Sequence, residues 1–106
     1  MIVITEEQFR QELIAKLAPL AGQIKAVVGP GRSGAVASVY ASHYLHAAWL
    51  PATMGKIPSA LRPLLVIDTA SMSGASLRKL TKRFEAEFSI AIFNEPPRVK
   101  FWYEAI

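Results

Sequence analysis

The apolar positions of the chain change their period several times between Phe9 and Phe101, and each change marks an element. Phe9, Leu13, Ile14 and Leu17 recur at helical spacing as far as Pro19. "TEEQ" just before them supplies Thr5 and Gln8 as the two halves of a capping box, so a helix is expected to start there and to stop by Gly22. "IKAVVG" is a β-branched run closed by glycine and reads as a buried strand. "SGAVASVYASHYLHAA" is rich in small residues, which suits a helix lying close on a sheet. "WLPATM" reads as a short strand weakened by Pro51, and "KIPSALRP", with two prolines and no period, as a connection. "LLVID" from Leu64 to Asp68 is the clearest strand. Ser-rich "TASMSGAS" then leads to a helix through "LRKLTKRFEAEF", with Leu77, Leu80 and Phe84 on one face, and "FSIAIFN" and "VKFWYEAI" read as two closing strands.

The order helix, strand, helix, strand, strand, helix, strand, strand predicts an α/β fold with a mostly parallel sheet flanked by helices. With 106 residues a single domain over 1–106 is expected. No stretch reaches 18 uninterrupted apolar residues, and the start "MIVITEEQ" carries no basic n-region, so the expectation is a cytoplasmic protein with no membrane partner. Cysteine is absent, which excludes disulfides, thiolate metal ligands and a Cys nucleophile. Apolar residues make up 52% of so small a chain, which favours a homodimer.

Charge changes the picture by its distribution. The net charge is +4, and from Leu13 to Phe84 nine Lys and Arg accompany a single acid, Asp68. A positive field with one carboxylate in it favours an anionic ligand over a neutral one. Two junctions could receive that anion. "VVGPGRSGAVAS" and "LLVIDTASMSGAS" share one construction, an apolar strand, a loop of Gly and small hydroxyl residues, then a helix. Such a loop leaves amides at the positive end of a helix dipole, and in a parallel sheet both loops face one crevice.

Gly29 to Gly34 also fit G-x-G-x-x-G, but the acid that would hold a dinucleotide ribose about 20 residues on is missing around Trp49 to Gly55. "GRSGA" approaches a nucleophile elbow at Ser33, yet both histidines, His43 and His46, precede Asp68, against the order that elbow requires.

Taken together, the two loops resemble those of the type I phosphoribosyltransferases. In "LVIDTASMSGAS", Asp68 matches the first acid of that family's signature for 5-phosphoribosyl 1-pyrophosphate (PRPP), Ser73 and Gly74 match its T-G, and Ser76 matches its final Thr. Arg32 and Gly34 match the basic residue and glycine of the pyrophosphate loop. The resemblance implies a 5′-phosphate held by Ala70, Ser71, Met72, Ser73, Gly74, Ala75 and Ser76, and a pyrophosphate held by Pro30, Gly31, Arg32, Ser33 and Gly34. It implies Asp68 and Thr69 at the catalytic ribose, Mg²⁺ arriving on ligand oxygens, and a non-proline cis peptide near Gly31 and Arg32. The chain departs from the family in three places. Thr69 stands where the second acid belongs, "ATMGKIPSALRP" is short for a closing loop, and the chain ends leave little for a hood over the base.

The implied activity is phosphoribosyl transfer from PRPP to a nitrogenous base with release of pyrophosphate. The alternatives are a non-catalytic PRPP or nucleotide sensor, and a remnant working through its surface. Nucleic acid is not an expected partner. Arg78, Lys79, Lys82 and Arg83 read as a solvated ridge or as phosphate steering. His43 and His46 have metal-compatible spacing without a visible third ligand, and Trp49, Phe101, Trp102 and Tyr103 read as core, interface or base-stacking residues.

Overall fold

Residues 64–67, Leu-Leu-Val-Ile, are all buried, and their side chains alternate between two separate apolar clusters. That is why they read as a continuous apolar run: they form the middle of a sheet covered on both faces. The computed structural model describes residues 2–105. Met1 and Ile106, the ends of the expected domain and, for Ile106, of the expected last strand, lie outside the described residues.

In chain order the elements are β1 (Ile2–Ile4), α1 (Glu6–Leu17), β2 (Ala26–Val28), α2 (Gly31–Leu45), β3 (Ala48–Trp49), β4 (Leu64–Ser71), α3 (Ala75–Phe84), β5 (Phe88–Asn94) and β6 (Val99–Phe101). Short 3-10 turns lie at Ala18–Leu20, Ser59–Leu61 and Trp102–Ala105. The main sheet has the order β3-β2-β4-β5, with every pair parallel. β1 and β6 form a separate parallel pair, Ile2 opposite Val99 and Ile4 opposite Phe101. Mostly parallel strands flanked by helices is therefore the observed architecture.

One face of the main sheet, with Val27, Leu65 and Ile67, packs under α1, α2 and the β1–β6 pair around Phe9, Leu13, Leu17 and Phe101. The other face, with Ala26, Val28, Leu64 and Val66, is covered by Leu80 and Phe84 of α3 and by Leu50 and Ile57 of the connection. The expected capping box closes α1, with the Gln8 amide donating to Thr5 Oγ1 at 3.1 Å and the Thr5 amide to Gln8 Oε1 at 2.9 Å. Among the described residues no helix is long and apolar enough to cross a membrane.

Several boundaries differ from the expectation. β1 is an addition: Ile2 and Val3 are exposed and only Ile4 is buried, so three residues carry no readable period. α2 begins two residues early, at Gly31, and stops at Leu45 because His46 takes a left-handed conformation at φ 54°. The expected strand "WLPATM" is reduced to its edge, β3, just before Pro51. The last strand stops at Phe101, where the backbone tightens into the 3-10 turn and the Phe101 amide donates to Glu104 Oε1 at 3.0 Å. Thr69, Ala70 and Ser71, expected in a loop, continue β4, with Ala70 opposite Phe93 and Ser71 opposite Asn94.

Candidate functional site

β2 and β4 are adjacent and parallel, so the chain leaves both at the same end of the sheet and turns there into α2 and α3. Between these turns lies a cleft of about 380 Å³. Pro30, Gly31, Arg32 and Ser33 line it from the first junction, and Asp68, Thr69, Ala70 and Ser76 from the second. The remaining wall is Glu95, Arg98, Val99, Phe101 and Glu104, from the segment after β5. We call this segment, residues 95–104, the strap.

The first junction is built differently from a loose glycine loop. A Cβ on Gly29 would lie 2.7 Å from the Ile67 carbonyl oxygen, and one on Gly34 2.6 Å from Pro30 Cδ and 2.7 Å from the Gly29 carbonyl carbon. Gly29 and Gly34 are thus glycines because the start of α2 presses on the ends of β2 and β4. Gly31, at φ 62°, has open space where a Cβ would be and starts the helix. The first helical bond runs from the Gly34 amide to the Pro30 carbonyl at 2.9 Å. The amides of Gly31, Arg32 and Ser33 precede it, no side chain caps them, and they stand at the positive end of the α2 dipole. The cis peptides among the described residues all precede proline (Arg62–Pro63, Glu95–Pro96, Pro96–Pro97), so the expected cis bond near Gly31 and Arg32 is not formed. Ser33 Oγ lies 2.6 Å from Tyr103 Oη and ties the helix start to the strap, while His43 and His46 lie at the far end of α2. No nucleophile elbow is assembled. Among the described residues no group of three His, Cys, Asp or Glu could hold a metal ion.

At the second junction the loop shrinks to Met72–Gly74. Ser73 Oγ accepts from the Ala75 amide at 3.3 Å, and the first bond of α3 runs from the Arg78 amide to the Gly74 carbonyl at 2.8 Å. Gly74 sits at φ 75°, where a side chain would be strained. Arg78 leaves the expected ridge: its guanidinium donates to the Ser73 carbonyl at 2.6 Å and stands 2.9 Å from where a Gly74 Cβ would be. Ser76 alone of the serines in this segment reaches the cleft. Ser71, Met72, Ser73 and Gly74 open instead onto a neighbouring depression of about 400 Å³, shared with Arg78, Asn94 and Glu95.

Asp68 occupies the floor. Burial pushes its carboxyl above the ordinary 3.8, against the Thr69 amide, which donates to Oδ1 at 2.8 Å and pulls the other way. Thr69 is 3% exposed, packed into the sheet beside it.

Glu95, Arg98 and Glu104 were not among the expected site residues. They change the electrostatics, because the basic field between Leu13 and Phe84 meets two further carboxylates brought in from later in the chain. The signal was the "NEPPR" turn, a Pro-Pro break that sends the chain back over the sheet. Of the aromatic residues, Phe101 and Trp102 pack against Phe9, and Trp49 donates through Nε1 to Ser38 Oγ at 2.8 Å.

No family model and no curated protein matches the sequence. Solved structures do match. A purine phosphoribosyltransferase from Pyrococcus horikoshii Ot3 superposes with a TM-score of 0.73 at 13% identity, over 97% of this chain and 94% of the other. The xanthine-guanine-hypoxanthine phosphoribosyltransferase of Helicobacter pylori gives 0.70 at 18% identity, over 97% and 91%. The chain has a type I phosphoribosyltransferase-like fold. Within this phosphoribosyltransferase-like fold, the cleft occupies the carboxyl end of the parallel strands, where open α/β sheets bind their ligands. The strap, whose strand β6 pairs with β1, forms its outer wall.

Proposed function

We propose that the cleft binds PRPP or a nucleotide phosphate and supports transfer of the phosphoribosyl group to a nitrogenous base, with release of pyrophosphate. The observation that carries this is the convergence of two helix starts and one half-buried carboxylate on a single cleft. The uncapped amides of Gly31, Arg32 and Ser33, with the Arg32 side chain, suit the pyrophosphate. Ser76 and the start of α3 suit the 5′-phosphate, with Arg78 close behind the loop. Asp68 suits the ribose hydroxyls between them. A divalent cation fits this donor set: Asp68 offers a hard oxygen ligand beside an anion that brings more of them. Bound there, Mg²⁺ would neutralise the leaving pyrophosphate; the chain's own part is to hold the two phosphate ends and the ribose in line.

A second reading, binding without turnover, is favoured by Thr69, which puts a buried hydroxyl where a second carboxylate would hold the ribose. It is also favoured by the connection 50–63, which buries Leu50 and Ile57 against the sheet instead of forming a long free loop.

PRPP with Mg²⁺ is expected to raise the melting temperature more than inorganic phosphate does. Arg32→Ala should weaken PRPP more than ribose 5-phosphate, since Arg32 is assigned to the pyrophosphate. Pyrophosphate release from PRPP across purine and pyrimidine bases separates the two readings. Release above the uncatalysed rate establishes the transferase, PRPP binding without release establishes the binder, and no melting shift with any phosphate ligand overturns both.

A further inference from the structure

The two walls of the cleft differ in hydrogen-bonding sense. At the helix starts it is lined by donors, the amides of Gly31 to Ser33 and the Ser76 hydroxyl. Along the strap two backbone donors are already used. The Val99 amide donates to Glu95 Oε2 at 3.0 Å, and the Phe101 amide to Glu104 Oε1 at 3.0 Å. Residues 99 and 101 lie two apart on β6, so these amides point to the same edge, and a carboxylate covers each. Each of these carboxylates keeps a second oxygen, and an ionised carboxylate can only accept. Both glutamates line the cleft, beside Val99 and Phe101.

A ligand spanning this cleft has an anionic end and, opposite it, an end facing acceptors. We propose that the strap wall selects a base carrying exocyclic or ring N–H donors, an aminopurine or aminopyrimidine, and rejects a base that carries its own carboxylate. The inference rests on the phosphate-binding assignment above and deepens it. Bringing a carboxylate base against Glu95 and Glu104 places like charges together and leaves acceptors facing acceptors, whereas an amino group satisfies an oxygen that would otherwise lose its water. Arg98, at the turn of the strap, is the one side chain on this wall that could receive an anionic base.

The test compares three ligands by calorimetry: ribose 5-phosphate, which lacks a base, guanosine 5′-monophosphate and orotidine 5′-monophosphate. Guanosine 5′-monophosphate is expected to bind about tenfold tighter than ribose 5-phosphate, and orotidine 5′-monophosphate no tighter than ribose 5-phosphate. Glu95→Gln and Glu104→Gln keep an oxygen for the Val99 and Phe101 amides while removing the charge. In both, the ratio between guanosine and orotidine nucleotides should shrink. Absence of ribose 5-phosphate and nucleotide binding together would remove the phosphate assignment itself. Ribose 5-phosphate bound normally, with equal affinity for the two nucleotides or a preference for orotidine 5′-monophosphate that Arg98→Gln abolishes, would overturn the base preference alone.

Discussion

At the residue scale, Asp68 is the side chain whose environment works against its charge. Because burial raises its pKa, the folded chain holds this proton more tightly than the unfolded chain does, and stability falls as pH rises above the ordinary 3.8. Asp68→Asn keeps an oxygen for the Thr69 amide, so it is expected to melt at a higher temperature than wild type at pH 7. That difference should narrow toward pH 4, and melting curves across this range that stay parallel would contradict it. The neighbouring position is less forgiving. Thr69→Asp would restore the phosphoribosyltransferase acid only by burying a second carboxylate, and should cost about 2–4 kcal/mol in urea denaturation. An unchanged midpoint would mean that position 69 opens to water. Gly29 is constrained by space alone: Gly29→Ala drives a methyl into the Ile67 carbonyl and the start of α2, and should lose about 3 kcal/mol of stability with or without ligand.

At the scale of elements, α2 and α3 end alike, with a non-glycine residue in the left-handed region, His46 at φ 54° and Glu85 at φ 51°. Glycine removes that strain at some cost in chain entropy, so His46→Gly and Glu85→Gly should each stabilise by about 0.5–1 kcal/mol, read from the denaturation midpoint. Neither residue lines the cleft, and ligand affinity should stay as it is. The sequence made the long elements legible: the helical spacing of Phe9, Leu13 and Leu17, the run Leu64 to Ile67, and the capping box at Thr5 all depend on neighbours close in the chain. It concealed elements whose cause is distant. β1 and β6 are strands because they pair with each other, and Gly29 and Gly34 mimic a nucleotide fingerprint because a helix and two strands meet there. For the same reason Asp68, Arg32 and Ser76 could be named in advance, while Glu95 and Glu104 could not, since only the fold carries the strap back over β2 and β4.

Across the whole molecule, the strap is anchored by an aromatic cluster as well as by the Glu95 amide, which donates to the Ser71 carbonyl of β4 at 2.8 Å. Phe9, fully buried, sets its ring 5.8 Å from Phe101, 5.3 Å from Trp102 and 5.2 Å from Tyr40, centroid to centroid. Phe9→Ala should therefore cost about 3–5 kcal/mol, and a milder Phe9→Leu should loosen the strap enough to weaken nucleotide binding more than phosphate binding. Tryptophan fluorescence, to which Trp102 contributes beside Trp49, would follow the first effect and calorimetry the second. The pairing of Ile2 with Val99 adds a consequence in time. β1, made before β2 and β4, must wait unpaired for β6, made after them, while β2 and β4 can already have met. Contacts of such long separation form slowly. The amide-lined half of the cleft can exist on the ribosome before the carboxylate wall arrives, so the nascent chain would be able to hold an anion before it could choose the group attached to it.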